Sequence, residues 1–248
     1  MPRILALVTG NNKYQTNPLE NCLNDATDLA RILESINCKV DLHEDLTSDN
    51  MYEAIKGFTE TIRRDDFVIF YFAGHAVQWG DQNFLMPCDN KKIISGADMR
   101  RYATNAQESL DQMANMEPHF VLFLLDCCRQ YWLPTTTRAT NSEKNQVGGL
   151  NTMIARPGTL IAFACAPGQT TSDQSFDRSN GLFTKHLLKH ITAPAVDIQV
   201  VLRRVANDVA RETHNKQIPY QLSSIMTENI FLVPAREMSL DDDMLLLL

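Results

Sequence analysis

The sequence predicts an α/β fold, with a mostly parallel sheet of about six strands and helices on both faces. Three observations carry that expectation. Strand-like apolar runs alternate with helical patterns along the chain. Two of the runs, Phe67-Val68-Ile69-Phe70-Tyr71-Phe72 and Val121-Leu122-Phe123-Leu124-Leu125, are continuous rather than alternating, as expected of strands buried on both faces. At 248 residues and 44% hydrophobic composition, the chain can bury one large core.

Taken in order, Ile4 to Val8 is the first strand and Gly10-Asn11-Asn12 the loop at its end. Leu23, Ala26, Ala30 and Leu33 recur at helical spacing within Leu19 to Ile36. Cys38 to Leu42 reads as a second strand, and Thr47 or Ser48 as the cap of a helix through Met51, Ile55, Phe58 and Ile62. The strand from Phe67 ends in Ala73-Gly74-His75, and Val77 to Pro87 reads as a small hairpin. A mostly helical stretch, Asp98 to Met116, leads to the strand at Val121. From Gln130 to Gly149 periodicity fails, which predicts a long exposed loop. Thr159 to Cys165 is another buried strand, Gly181–Ile191 and Val196–Thr213 are helices, and Asn229–Val233 is a short last strand. No repeat or second domain emerges, so residues 1–236 form the expected domain and 237–248 an acidic and apolar tail.

Composition excludes several function classes. A net charge of −7 without a Lys/Arg-rich run argues against a nucleic-acid surface. No apolar run reaches the roughly 18 residues of a membrane span, and Met1-Pro2-Arg3-Ile4 enters a strand without a signal peptide. The six cysteines lack metal-ligand spacing. A reduced, cytoplasmic protein is the expected setting, with most thiols acting as small core residues.

The chemistry gathers at two strand ends. One delivers Gly74-His75 and the other Asp126-Cys127-Cys128-Arg129. Open α/β sheets bind ligands outside the carboxyl ends of their strands. A thiolate and an imidazole there are the parts of a cysteine nucleophile system, with His75 as acid/base and the Gly74 and Cys128 amides as oxyanion donors. Gly74, without a side chain, is expected to let a substrate backbone approach. Strand alternation sends Cys127 and Cys128 to opposite faces, and spacing alone does not choose between them.

His75 and Cys128 lie 53 positions apart, and caspase-type enzymes carry the His about 50 residues before the nucleophile. With Phe72-Ala73-Gly74-His75 and Asp126-Cys127-Cys128-Arg129, the chain resembles the caspase-like cysteine peptidases (clan CD, peptidase C14). It is closest in style to the paracaspases and metacaspases. The resemblance covers roughly Arg3 to Pro234. It implies a caspase-like fold and a cysteine endopeptidase cleaving after Arg, with Lys as the second basic choice, through a Cys128 thioester. The family places its nucleophile directly before the Arg, which selects Cys128.

The resemblance also implies a specificity pocket. Asp126 stands two places before the nucleophile, where aspartate-cutting caspases carry Gln, and Asp25 matches a second acid of the same pocket. Two carboxylates clamping one guanidinium make charge-assisted, bidentate contacts. The family's third acid aligns with Thr170, and the nearest available acid is Asp173. Trp79 and the stretch Ala164 to Gly168 are candidate walls of neighbouring subsites. No cofactor or metal is implied: metacaspases often need calcium, but no EF-hand-like spacing occurs here. The expected partners are peptides with a basic residue before the cut, and a second copy paired through strand 229–233. Arg138 and Lys144, in the exposed loop, are candidate self-cleavage sites. The alternatives are a caspase-like scaffold retained for dimerisation, and the same chemistry with a different cleavage residue.

Overall fold

The computed structural model of the protein describes residues 2–131, 152–166 and 179–235, with backbone only for 128–131. The central sheet runs in the order β2-β1-β3-β6-β7-β8. Its strands are β1 (Ile4–Gly10), β2 (Lys39–Glu44), β3 (Phe67–Trp79), β6 (Phe120–Tyr131), β7 (Thr159–Phe163) and β8 (Tyr220–Ser223). All neighbours along this path are parallel except β7 and β8. The expected parallel sheet is therefore present, closed on one side by an antiparallel edge strand.

Off this path lies a small antiparallel appendage. Trp79 pairs with Gln82 across a tight turn at Gly80 (φ 63), which joins β3 to β4 (Gln82–Leu85). β4 in turn pairs with the two-residue β5 (Thr104–Asn105). This is the hairpin expected within Val77–Pro87.

Side-chain alternation along the sheet builds two cores. One face carries Ala6, Val8, Tyr71, Leu122 and Leu124 against helices α1 (Cys22–Glu34), α5 (Leu182–His190) and α6 (Ile198–Glu212). The other carries Leu5, Leu7, Phe70, Phe72, Phe123 and Leu125 against α2 (Ser48–Thr61) and α4 (Ala106–Ala114). Phe70 stacks on Phe123 with centroids 4.4 Å apart, which ties β3 to β6 at the sheet centre. Thr47 caps α2 through Asn50 N, as expected.

One expectation is refined and one is corrected. The mostly helical stretch expected over Asp98–Met116 is present as two helices, α3 (Gly96–Tyr102) and α4, separated by β5. Asn105 is the cause: its side chain accepts from Gln107 N and Glu108 N, so it caps a new helix instead of continuing the old one. The segment 229–233 is not the last strand. Only Phe231 makes an isolated bridge, to Asp197, while Ile230 and Leu232 are buried against the α1–α5–α6 core. Its backbone is spent on the entry to α6: Ile230 N donates to Asp197 Oδ2, and Ile198 N donates to Ile230 O. The sheet edge belongs to β8 instead. The expected 130–149 loop, apart from the end of β6, and the 237–248 tail lie outside the described residues.

Loops at the carboxyl edge are fastened from below. Asn11 is fully buried; its amide accepts from Leu46 N at 2.9 Å and donates to Met86 O at 3.3 Å. Asp45 Oδ1 accepts from both Asn12 N and Lys13 N at 2.8 Å. These bonds set the β1–α1 loop against β2 and β4. Asn11→Ala orphans two buried backbone groups, each worth roughly 1–3 kcal/mol. It should lower unfolding free energy by about 3 kcal/mol in urea titration, with an unchanged m-value.

Candidate active site

The site rests on the pairing of β3 with β6. The two run parallel from Phe67↔Phe120 to Gln78↔Tyr131, and within that register His75 is the direct partner of Cys128. Two residues 53 positions apart in sequence thus stand side by side on adjacent strands, at the carboxyl end of the sheet.

His75 is half-buried and held from one side by the β1–α1 loop. Its backbone N donates to Tyr14 Oη at 2.8 Å, and the Tyr14 ring lies 4.4 Å from the imidazole. Asn17 takes φ 58, a left-handed conformation that asparagine tolerates. Its carbonyl lies 2.6 Å from His75 Nε2. A carbonyl only accepts, so Nε2 carries the proton and the neutral ring keeps its lone pair on Nδ1. The loop therefore selects the tautomer in which Nδ1 is the base.

Of the two adjacent thiols, Cys127 is 3% exposed and packs in the Leu5–Phe123 core on the α2–α4 face. His75 meets Tyr14 and Asn17 from the loop leading to α1, on the opposite face. Cys127 is thus on the wrong side of the sheet to meet the imidazole. Cys128 is the register partner of His75 on the adjacent strand.

The expected oxyanion donors sit otherwise than anticipated. A Cβ at Gly74 would lie 2.3 Å from Tyr14 Oη and 2.9 Å from the Phe72 ring. The space beside Gly74 therefore admits Tyr14, not a substrate. The His75 amide faces Tyr14, so strand alternation turns the Gly74 amide toward β6. Leu125 O accepts from Ala164 N on the β7 side, which by the same rule turns the Cys128 amide toward β3. Both amides face into the strand ladder.

Asp25 and Asp126 come together beside α5. Asp25, on the first turn of α1, is 3% exposed, and its Oδ1 accepts from Gly181 N at 2.8 Å. Asp126 Oδ2 accepts from Thr184 Oγ1 at 2.7 Å. A Cβ at Gly181 would stand 3.0 Å from Asp25 Oδ2 and 3.5 Å from Asp126 Oδ2, so both carboxylates reach the same point above this glycine. Burial, and then the Asp126 charge, push the Asp25 carboxyl up to about 8, against help from Gly181 N–H and Asn180. Burial and mutual repulsion thus both favour the protonated form of Asp25.

The remaining candidates lie elsewhere. Trp79 is engaged in packing: its indole fills the space a Cβ at Gly96 would need, and Arg100 stacks over it at 4.5 Å. Ala164 is fully buried, its N–H bonded to Leu125 O and its carbonyl to Gln217 Nε2, so it offers a substrate no surface. Thr170, Asp173, Arg138 and Lys144 lie outside the described residues. Sequence reasoning missed Tyr14 and Asn17, because neither belongs to a motif and both act from a loop 58 or more positions away from His75. Among the described residues, no cluster of His, Cys, Asp or Glu is arranged to hold a metal ion, and no helix is long and apolar enough to cross a membrane.

Asp25 yields a stability test. A carboxyl whose folded pKa lies above its ordinary value of 3.8 binds its proton more tightly in the folded chain. Its contribution is full below that ordinary value and is lost as pH rises through about 8. Asp25→Asn should therefore be more stable than the parent at pH 9, with the advantage shrinking toward pH 5. Urea midpoints across that range measure it.

Comparison with known proteins accords with this geometry. The family model for the caspase domain matches residues 3–231. Among solved structures, caspase-1 from Spodoptera frugiperda superposes with a TM-score of 0.67 at 16% identity, covering 96% of this chain and 92% of that one. A Geobacter sulfurreducens protein superposes with a TM-score of 0.65 at 17% identity, covering 95% and 98%. No curated protein sequence matches. With the caspase-domain model spanning nearly its whole length and the caspase fold beneath it, the chain belongs to the caspase-domain family of cysteine peptidases.

Proposed function

We propose that the protein is a cysteine endopeptidase that hydrolyses peptide bonds after Arg, and secondarily after Lys, with Cys128 as nucleophile and His75 as acid/base. The observation that carries the specificity is the pair of carboxylates, Asp25 and Asp126, converging above Gly181. A desolvated pair of carboxylates that burial and mutual repulsion hold back from full ionisation favours a cation over any other side chain.

In this reading the steps are those of a thiol–imidazole pair. The Cys128 thiolate attacks the scissile carbonyl carbon, and electrons move onto oxygen to form a tetrahedral oxyanion. The proton drawn from the thiol onto His75 Nδ1 passes to the leaving amine as the C–N bond breaks. Water then adds to the thioester, giving its proton to His75, and collapse releases the carboxylic product and restores the thiol. Throughout, Asn17 O holds the Nε2 proton and keeps the ring oriented. Service of the Cys128 amide to the oxyanion requires the end of β6 to part from β3, since that amide is turned into the ladder.

Arg is preferred over Lys because its planar fork can address both carboxylates, whereas an ammonium acts as a point charge. An Asp side chain in the pocket would bring a third carboxylate, at a cost of several kcal/mol. The arrangement gives no support to the scaffold reading, which needs neither a tautomer-locked His nor a buried acid pair.

Matched peptides varying only the residue before the cut should be cleaved in the order Arg, Lys, then Ala and Asp. Equal turnover of the Ala and Arg peptides would sink the acidic-pocket reading. Cys128→Ala should abolish turnover and Cys127→Ala should retain most of it. Asp126→Asn should lower kcat/KM for the Arg peptide by roughly 2–5 kcal/mol, part of which reflects the charge left unpaired. A second arm uses the pH dependence of binding. A guanidinium favours ionised Asp25, so a non-hydrolysed Arg peptide should bind Cys128→Ala more tightly as pH rises from 6 and level off above about 8. Calorimetry should show proton release, and Asp25→Asn should remove it.

A further inference from the structure

Both carboxylates of the pocket are fastened to a single element, α5. Gly181 N, at its N-cap, holds Asp25. Thr184, one turn later, holds Asp126. Thr184 is itself fully buried, and its Oγ1 lies 2.6 Å from Tyr71 Oη, also fully buried, on β3. Since Asp126 accepts from Thr184, the Tyr71 hydroxyl must supply the proton in its contact with Thr184. The result is a one-way relay, Tyr71 O–H to Thr184 Oγ1 and Thr184 O–H to Asp126 Oδ2. Tyr71 Oη also lies 3.5 Å from Asp126 Oδ2 itself. Burial, then the charges of Asp126 and Asp25, hold the Tyr71 phenol well above its ordinary range, so it stays a donor at any working pH.

α5 does not float. Lys185 Nζ and His186 Nε2 meet Glu212 of α6 at 2.9 and 2.8 Å, and His190 Nε2 and Lys189 Nζ each meet Asp208 at 2.8 Å. The exposed side of α5 is thus locked to α6, while its opposite side carries the relay. Nothing in the catalytic steps requires Thr184 or Tyr71, and their hydroxyls, buried beneath Asp126, point to one task.

Building on the Arg-cleaving reading above, we propose that Thr184, backed by Tyr71, is the positioning residue that sets the preference for Arg over Lys. By pinning Oδ2, the relay fixes the carboxylate plane of Asp126. A planar guanidinium needs that orientation, because its two parallel bonds form only when fork and carboxylate are coplanar. An ammonium, a compact charge with freely rotating donors, is far less sensitive to it. Losing the relay should therefore weaken both basic substrates but Arg more. This separates a positioning role from a general loss of pocket charge or of fold.

The experiment compares parent, Thr184→Val, Thr184→Ser and Tyr71→Phe on matched Arg and Lys peptides. Thr184→Val keeps the shape and removes the donor. It should lower kcat/KM for the Arg peptide by about 10- to 100-fold, as expected for a hydrogen bond to a charged group. Most of the loss should fall in KM, and the Arg-to-Lys ratio should shrink severalfold. Thr184→Ser restores the hydroxyl and should recover the Arg-to-Lys ratio. Tyr71→Phe should shift the ratio the same way as Thr184→Val, but less. The rate of Cys128 alkylation by iodoacetamide should be equal in all four proteins, which establishes an intact nucleophile. Equal fractional losses on Arg and Lys in Thr184→Val, or failure of Thr184→Ser to recover the ratio, would overturn the positioning role while leaving Arg cleavage standing. A parent enzyme that does not prefer Arg at all would remove both together.

Discussion

The structure depends on one constraint above the others: β3 and β6 must pair in a single register over their whole length. Both strands are apolar on both faces, so each is flanked by side chains that have to enter one core or the other. A slip of one residue by β6 would send Phe123 and Leu125 to the α1–α5–α6 side and Leu122 and Leu124 to the α2–α4 side. The Phe70–Phe123 stack and the two closed cores exclude that alternative. Because the register is fixed in the buried part, it is inherited at the strand ends, where His75 stands opposite Cys128 in register and Asp126 faces α5. Fold stability in the centre of the sheet thus dictates the geometry of chemistry at its edge.

The acid pair works against that stability. Two carboxylates brought to one point in a water-poor site repel, and Asp25 keeps its proton to a pH at which an exposed aspartate is fully ionised. Local hydrogen bonds, from Gly181 N–H and from the Thr184 hydroxyl, soften the cost without removing it. A fold selected for stability alone would place an apolar residue at either position. Departures of this kind concentrate where a site is held ready for a ligand of opposite charge. Tautomer control of His75 has the same character. The Asn17 carbonyl comes from a residue in a left-handed conformation, in a loop held down by Asn11 and Asp45, so several buried bonds converge on the placement of one proton.

Where expectation and structure part, local and tertiary preferences conflict. The apolar run Ile230–Val233 has the composition of a strand, yet its amides and carbonyls are taken up at the entry to α6, and Ile230 and Leu232 find more apolar surface against the helices than an edge position offers. Tyr220–Ser223 has no clear apolar run and becomes the edge strand because Leu160–Phe163 leaves one side of its ladder open. Ala164 fails as a subsite wall because Gln217, over fifty positions away, closes over it. Trp79 is drawn off by the absence of a side chain at Gly96.

The sequence by itself determined the α/β class, the two central strands, the helices that flank them, and the residues proposed to bear the chemistry. These are written in short-range patterns: continuous apolar runs, helical spacing, and reactive side chains at strand ends. Only the tertiary structure decided that the Cys127 thiol packs into the α2–α4 core, since alternation states that Cys127 and Cys128 diverge but not which way each goes until one face is packed. It also decided that Asp25 and Asp126 meet, that Gly181 and Thr184 hold them, and that Tyr14 and Asn17 govern His75. Each of these joins residues far apart in the chain through contacts of a few ångströms, and no local pattern records a distance that arises only when separate elements pack.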